Sequence, residues 1–158
     1  MKTLTSKLLI AVVIYCAATY AVNAQTIDLK KELAKIEETR NGFMLAIKEK
    51  RYQDLANFAT ADMQSTHPGT EDWNKMRSLG AERGTFPYDS IFMNPKETVI
   101  VSDSVAYDYG VSTVYFSDKD GKLMELHDTF LVILKKGSDG IWKLHREVAS
   151  AQIKYFDL

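Results

Sequence analysis

The segment from Asp128 to Ser150, DTFLVILKKGSDGIWKLHREVAS, constrains the fold more than any other part of the chain. An apolar run ends in Lys135 and Lys136, a Gly137-Ser138-Asp139-Gly140 turn follows, and a second run opens at Ile141-Trp142 and alternates toward Ser150. Turn residues flanked by period-two alternation specify two antiparallel strands. Within the first strand, Asp128 shares a face with Leu126, Phe130, Val132 and Leu134. A carboxyl on such a face is desolvated, which raises its pKa and favours the neutral, hydrogen-bond-donating form.

Strand-like periodicity begins at Pro87, with segments near Tyr88 to Met93, Thr98 to Ser102, Val105 to Ser117, Lys122 to Lys136 and Ile141 to Ile153. Asp118-Lys119-Asp120-Gly121 and the Gly137 to Gly140 turn mark successive hairpins. Upstream the period is helical: Leu29, Leu33, Ile36, Phe43 and Ile47 fall on one face of a first helix. Asp28 caps its start, Lys48 and Lys50 favour its end, and Glu32, Lys35, Glu37 and Glu38 take the solvated side. A second short helix covers Tyr52 to Ala59. A third begins near Thr70, carries Trp73, Met76 and Leu79 as its apolar stripe, and ends at Gly80 or Gly84. Between these two, Asp62 to Gly69 reads as a polar turn containing His67 and Pro68. Helices first and a meander second predict an α+β domain, with about three N-terminal helices packed on a curved antiparallel β-sheet.

Residues 1–24 stand apart from this plan. Lys2 and Lys7 precede an apolar stretch from Leu8 to Val22 that finishes in Val22-Asn23-Ala24, the pattern of a secretory signal peptide cleaved after Ala24. The stretch is too short and wrongly flanked for a membrane anchor. Export through the inner membrane, to the periplasm or the medium, is the expectation, with no membrane attachment after cleavage. Cys16 is the chain's one cysteine and falls inside the leader, preceded by Ile14 and Tyr15 rather than the small residues of a lipidation site. The mature chain, 25–158, therefore has no disulfide, thiol nucleophile or cysteine-ligated zinc.

Cleavage of 24 of the 158 residues leaves 134, the size of one domain. Loss of Lys2 and Lys7 takes the formal charge from −1 to −3, which offers no electrostatic footprint for nucleic acid. His67, His127 and His145 are dispersed without metal-ligand spacing, and no phosphate loop or nucleophile elbow is present, so no metal or cofactor is expected.

The order of elements, the Asp62 to Gly69 loop and the Asp139 to Trp142 hairpin together resemble the nuclear transport factor 2-like superfamily, in its SnoaL-like and ketosteroid-isomerase-like branches. The resemblance covers about Gln25 to Ile153. It implies a cone whose open end receives a small apolar or amphipathic molecule, and homodimers packed through the outer sheet faces. In the isomerase branch a general-base carboxylate stands directly before a proline that lies six residues after an Asp. The resemblance puts His67 at that place, counted from Asp62 to Pro68, and a histidine can accept a proton near neutral pH. It also matches Asp128-Thr129-Phe130 to the branch's Asp-x-Phe, whose acid stays protonated to donate to an oxyanion. The branch's helix tyrosine corresponds to Phe43, which has no hydroxyl to donate. Of the Trp-x-Ile/Val-x-His-x-His-x-Ser ending, Trp142 and Ser150 are retained, while Arg146 and Val148 replace the histidines.

Two functional classes stay open, with a structural homodimer around a filled cone as a third. One is a binding module whose ligand is held by Phe43, Trp73, Tyr88, Tyr107, Tyr109, Phe130 and Arg146. The other is a cofactor-free isomerase, cyclase or dehydratase that moves protons with His67 and Asp128. Strand alternation expects Arg146 to point inward toward Asp128, with His145 and Glu147 outward.

Overall fold

The structure, a computed structural model, describes residues 28–150. The leader with Cys16, its cleavage position and the chain end beyond Ser150 lie outside the described residues.

Helix α1 spans Leu29–Lys48, where the Asp28 carboxylate accepts from the Lys31 amide at 3.2 Å and Lys48 closes the last turn. These contacts satisfy orphan amides at one end and complement the dipole at the other. Ile36 and Ile47 are fully buried and Phe43 is half-buried, whereas Leu29 is exposed one turn beyond the core. A 3₁₀ helix follows at Tyr52–Asn57, and α2 runs Glu71–Arg83, ended by Gly84 at φ 64°. Trp73 and Met76 are the buried residues of the α2 stripe, as its spacing predicts, while Thr70 precedes the helix without a side-chain capping bond.

Five strands form one sheet: β1 Ala59–Thr66, β2 Ser90–Ile100, β3 Val105–Ser117, β4 Leu123–Lys136 and β5 Trp142–Ala149, in the order β1-β5-β4-β3-β2. Three of the four pairings are antiparallel, but β1 runs parallel to β5, so the sheet is mixed. The expected polar turn at Asp62 to Gly69 is largely this strand. β1 is an edge strand with mostly exposed side chains, so it lacks the apolar alternation that marks a strand in sequence. The two segments expected near Tyr88 and Thr98 are one strand, β2. Its register shift between Pro95 and Glu97 absorbs Lys96 as a bulge, and its edge position accommodates a proline with no amide to donate.

One core cluster joins Ile36 of α1 to Phe130, Val132, Leu134, Trp142 and Leu144 of the sheet, and a second joins Ile47, Trp73 and Met76 to Tyr88, Val114 and Leu126. The solvated face expected of α1 is interrupted at Glu32. This residue is buried, accepts from Trp142 Nε1 at 2.7 Å, and pairs with Lys35 at 2.9 Å and Lys136 at 2.7 Å. The pairing reaches from α1 to β4 and β5, a tertiary contact that helical spacing alone does not contain.

Candidate functional site

A cavity of about 360 Å³ lies against the second cluster, with walls from α1 (Phe43), β1 and the residue after it (Ser65, His67), α2 (Trp73, Arg77), the approach to β2 (Phe86, Tyr88) and β5 (Glu147). Aromatic rings make up much of the lining, the composition expected of a small-molecule site. The chain enters α2 through Pro68, which follows His67 directly, and this short connection lays the His67 ring on Trp73. Their centroids are 4.9 Å apart and their planes 16° from parallel. His67 Nδ1 is buried and has no hydrogen-bond partner. Tyr88 packs edge-to-face on Phe86 with centroids 4.7 Å apart.

Asp128 is 1 % exposed and accepts a hydrogen bond from the Ser112 hydroxyl, its neighbour across β3 and β4. Burial pushes its carboxyl from 3.8 up to about 6; the Ser112 bond opposes this, Glu147 reinforces it and His127 draws it down. Tyr88 is raised well above 10, by burial first and then by the charges of Glu147 and Asp128. The charge of Glu147 thus acts on both Tyr88 and Asp128, in each case to a smaller extent than burial. Asp128 is not part of the lining, so His67 and Asp128 do not both face the cavity.

Glu147 enters the site because of a bulge. Ile133 pairs with Arg146 and Leu134 with Leu144, which leaves His145 as an extra residue on β5. An extra residue reverses the alternation beyond it. His145 is therefore buried, at 8 % exposure with Nδ1 3.0 Å from Thr60 Oγ1, and Glu147 turns to the cavity while Val148 faces out. Arg146 does not meet Asp128. It is half-exposed, and its guanidinium donates to the Asp62 and His145 carbonyls at 2.7 Å each. Both inward and outward expectations for β5 are overturned by the same residue.

No family model matches the sequence, and no curated protein matches it. Solved structures do. A ketosteroid isomerase-like protein from Erwinia carotovora atroseptica superposes with a TM-score of 0.58 at 20% identity, over 75% of this chain and 95% of that one. A nuclear transport factor 2-like superfamily protein from Salmonella enterica gives 0.60 at 13% identity, over 81% and 96%. The association domain of CaMKII from C. elegans gives 0.53 at 16% identity, over 77% and 97%. The chain has the nuclear transport factor 2-like fold.

In the nuclear transport factor 2-like cone, the remaining candidates separate by face. Tyr107 and Tyr109 alternate with buried Ala106, Asp108 and Gly110 on β3, so they stand on the outer face, away from the cavity. Even spacing places tyrosines on one face without saying which. Phe130 does point inward, but it is sealed in the first cluster against Ile36 and Met93 rather than lining the cavity. Phe43, His67, Trp73 and Tyr88 are brought together. Arg77, Phe86 and Glu147 were not anticipated: Arg77 lies one turn along α2 from Trp73, a spacing visible in the sequence, whereas Glu147 depends on the bulge. Among the described residues no group of three His, Cys, Asp or Glu side chains is placed to hold a metal.

Proposed function

We propose that this chain is an exported small-molecule-binding domain whose ligand occupies the cavity between α1, α2 and β5. The observation that carries the reading is His67 Nδ1, buried beside an aromatic-lined cavity without a partner. An unsatisfied buried polar atom costs about 1–3 kcal/mol, and one retained in the wall of an aromatic-lined cavity marks a place kept for something other than packing. Native mass spectrometry of protein purified from the compartment to which it is exported tests the reading. A co-purifying small molecule that is lost in a Trp73→Ala variant supports it, and an empty protein unresponsive to every hydrophobic ligand in a thermal-shift series overturns it.

A second reading is proton-transfer catalysis by His67, which lines the cavity; Asp128, its carboxyl raised to about 6 by burial, stands outside the lining and would act from behind the wall. Phe43 has no hydroxyl of the kind the isomerase branch uses, and in this reading Tyr88, which lines the cavity, is the donor in its stead. If His67→Ala and Asp128→Asn variants retain full turnover of an isomerisable ketone, this reading fails.

The same domain is proposed to act as a homodimer joined through the outer sheet face. Tyr109, Leu131 and Val148 expose apolar surface there.

A further inference from the structure

The described residues contain three buried carboxylates, Glu32, Asp108 and Asp128. Glu32 is paired with Lys35 and Lys136, and Asp108 accepts from Arg40 Nε at 2.8 Å. Asp128 has no such cation. Its hydrogen-bond partner is the Ser112 hydroxyl, and the cavity-lining Glu147 likewise has only the Ser65 hydroxyl, at 2.9 Å. No Lys, Arg or His comes within ion-pair distance of either group among the described residues, and the charge of Glu147 adds to the cost of ionising Asp128. Burying a carboxylate without a counter-charge is unfavourable, which is why elsewhere this fold supplies one. The basic residues of the cavity do not supply it. Arg77 is solvent-exposed, and His67 is stacked on Trp73.

We infer that the ligand itself brings the missing positive charge: the cavity takes a small organic ammonium, with its charged nitrogen toward Glu147 and the Asp128 side of the wall and its apolar body against Phe43, Trp73, Phe86 and Tyr88. Aromatic faces attract a cation through their quadrupoles, and carboxylates add a charge-assisted hydrogen bond. The aromatic walls and the unpaired carboxylates thus converge on one ligand chemistry. This inference rests on the proposal that the cavity is a ligand site, and adds the ligand's charge to it.

The test uses three probes of similar size and different charge, 2-phenylethylammonium, 2-phenylethanol and phenylacetate, each titrated by calorimetry into the mature protein at pH 7.5. The ammonium is expected to bind on the order of tenfold more tightly than the alcohol, and the carboxylate more weakly than either. Glu147→Gln is expected to erase the preference for the ammonium while leaving alcohol binding in place, and Glu82→Gln on the solvated side of α2 to change nothing. Equal or tighter binding of the alcohol or the carboxylate overturns the ammonium inference and leaves the ligand site standing. If none of the three binds or perturbs Trp73 fluorescence, the ligand site falls and the inference with it. The wild-type series decides these outcomes even where a variant fails to fold.

Discussion

Ser112 on β3 and Asp128 on β4 are direct register partners, and the serine hydroxyl donates the one hydrogen bond that the Asp128 carboxyl receives among the described residues. A single neutral donor does not offset the desolvation of a group 1 % exposed, so burial prevails and the carboxyl titrates at about 6 instead of 3.8. A carboxyl raised in the fold binds more protons there than in the unfolded chain. Its contribution is therefore fully present below pH 3.8 and is lost as pH rises through about 6, a difference of about 3 kcal/mol. Asp128→Asn cannot ionise. Urea unfolding at pH 4 and pH 8 should show the variant gaining on the native protein at the higher pH, and parallel behaviour of the two proteins would rule this out.

Glu32 behaves oppositely. Its hydrogen bond with Lys136 is the largest influence, partly opposed by burial, and with Lys35 and Trp142 it holds the carboxyl at about 2 instead of 4.5. A depressed carboxyl stabilises the fold above its unfolded pKa, and that stability is lost as pH falls from 4.5 toward 2. Glu32→Gln should unfold at lower urea than the native protein at pH 7, and the gap should narrow by pH 3. A gap that stays constant over that range would show that packing, not charge, sets the effect.

Gly110 lies where the bulge of β2 crosses β3. A Cβ there would come within 2.3 Å of the Asn94 carbonyl oxygen and 2.7 Å of Pro95 Cα, both backbone atoms with little freedom to retreat. Gly110→Ala is expected to destabilise by more than about 3 kcal/mol, as overpacking against fixed backbone does. Gly69→Ala meets nothing within 4 Å and should stay within about 0.5 kcal/mol of the native protein. Thermal unfolding of the pair measures the contrast, and equal melting temperatures would contradict it.

Much of the fold was legible because β3 and β4 pack one face on the core and show alternation, broken on β3 only at buried Val111. Leu126, Asp128, Phe130, Val132 and Leu134 are all buried, as their spacing requires. The helical stripe of α2 was legible for the same reason. What escaped depends on pairing rather than on a strand's own pattern. β1 is polar at an edge, and the extra residue at His145 is defined by its partners on β4. One inserted residue exchanged Arg146 for Glu147 at the cavity. The candidate site was thus readable in its aromatic half and misread in its charged half, and the placing of Glu147 in its wall without a cationic partner emerged only in three dimensions.

The outer face of the sheet carries a row of exposed apolar side chains. Tyr109 is the register partner of Leu131, and Leu131 of Val148, so these side chains form a row across β3, β4 and β5. They are 40%, 43% and 55% exposed, and Ile133, opposite Tyr107, extends the patch. Contiguous apolar surface of this kind marks an interaction site, and a twofold contact would set Leu131 at its centre against a second copy of the same row. A lysine there would bury a charge in the contact at a cost of several kcal/mol, while in a monomer its ammonium reaches water. Analytical ultracentrifugation should give twice the chain mass for the native protein at micromolar concentration and the chain mass for Leu131→Lys, with the unfolding midpoint of the variant independent of protein concentration. A native protein that sediments at the chain mass would overturn the dimer, and a Leu131→Lys variant that still sediments at twice the mass would move the interface to another surface.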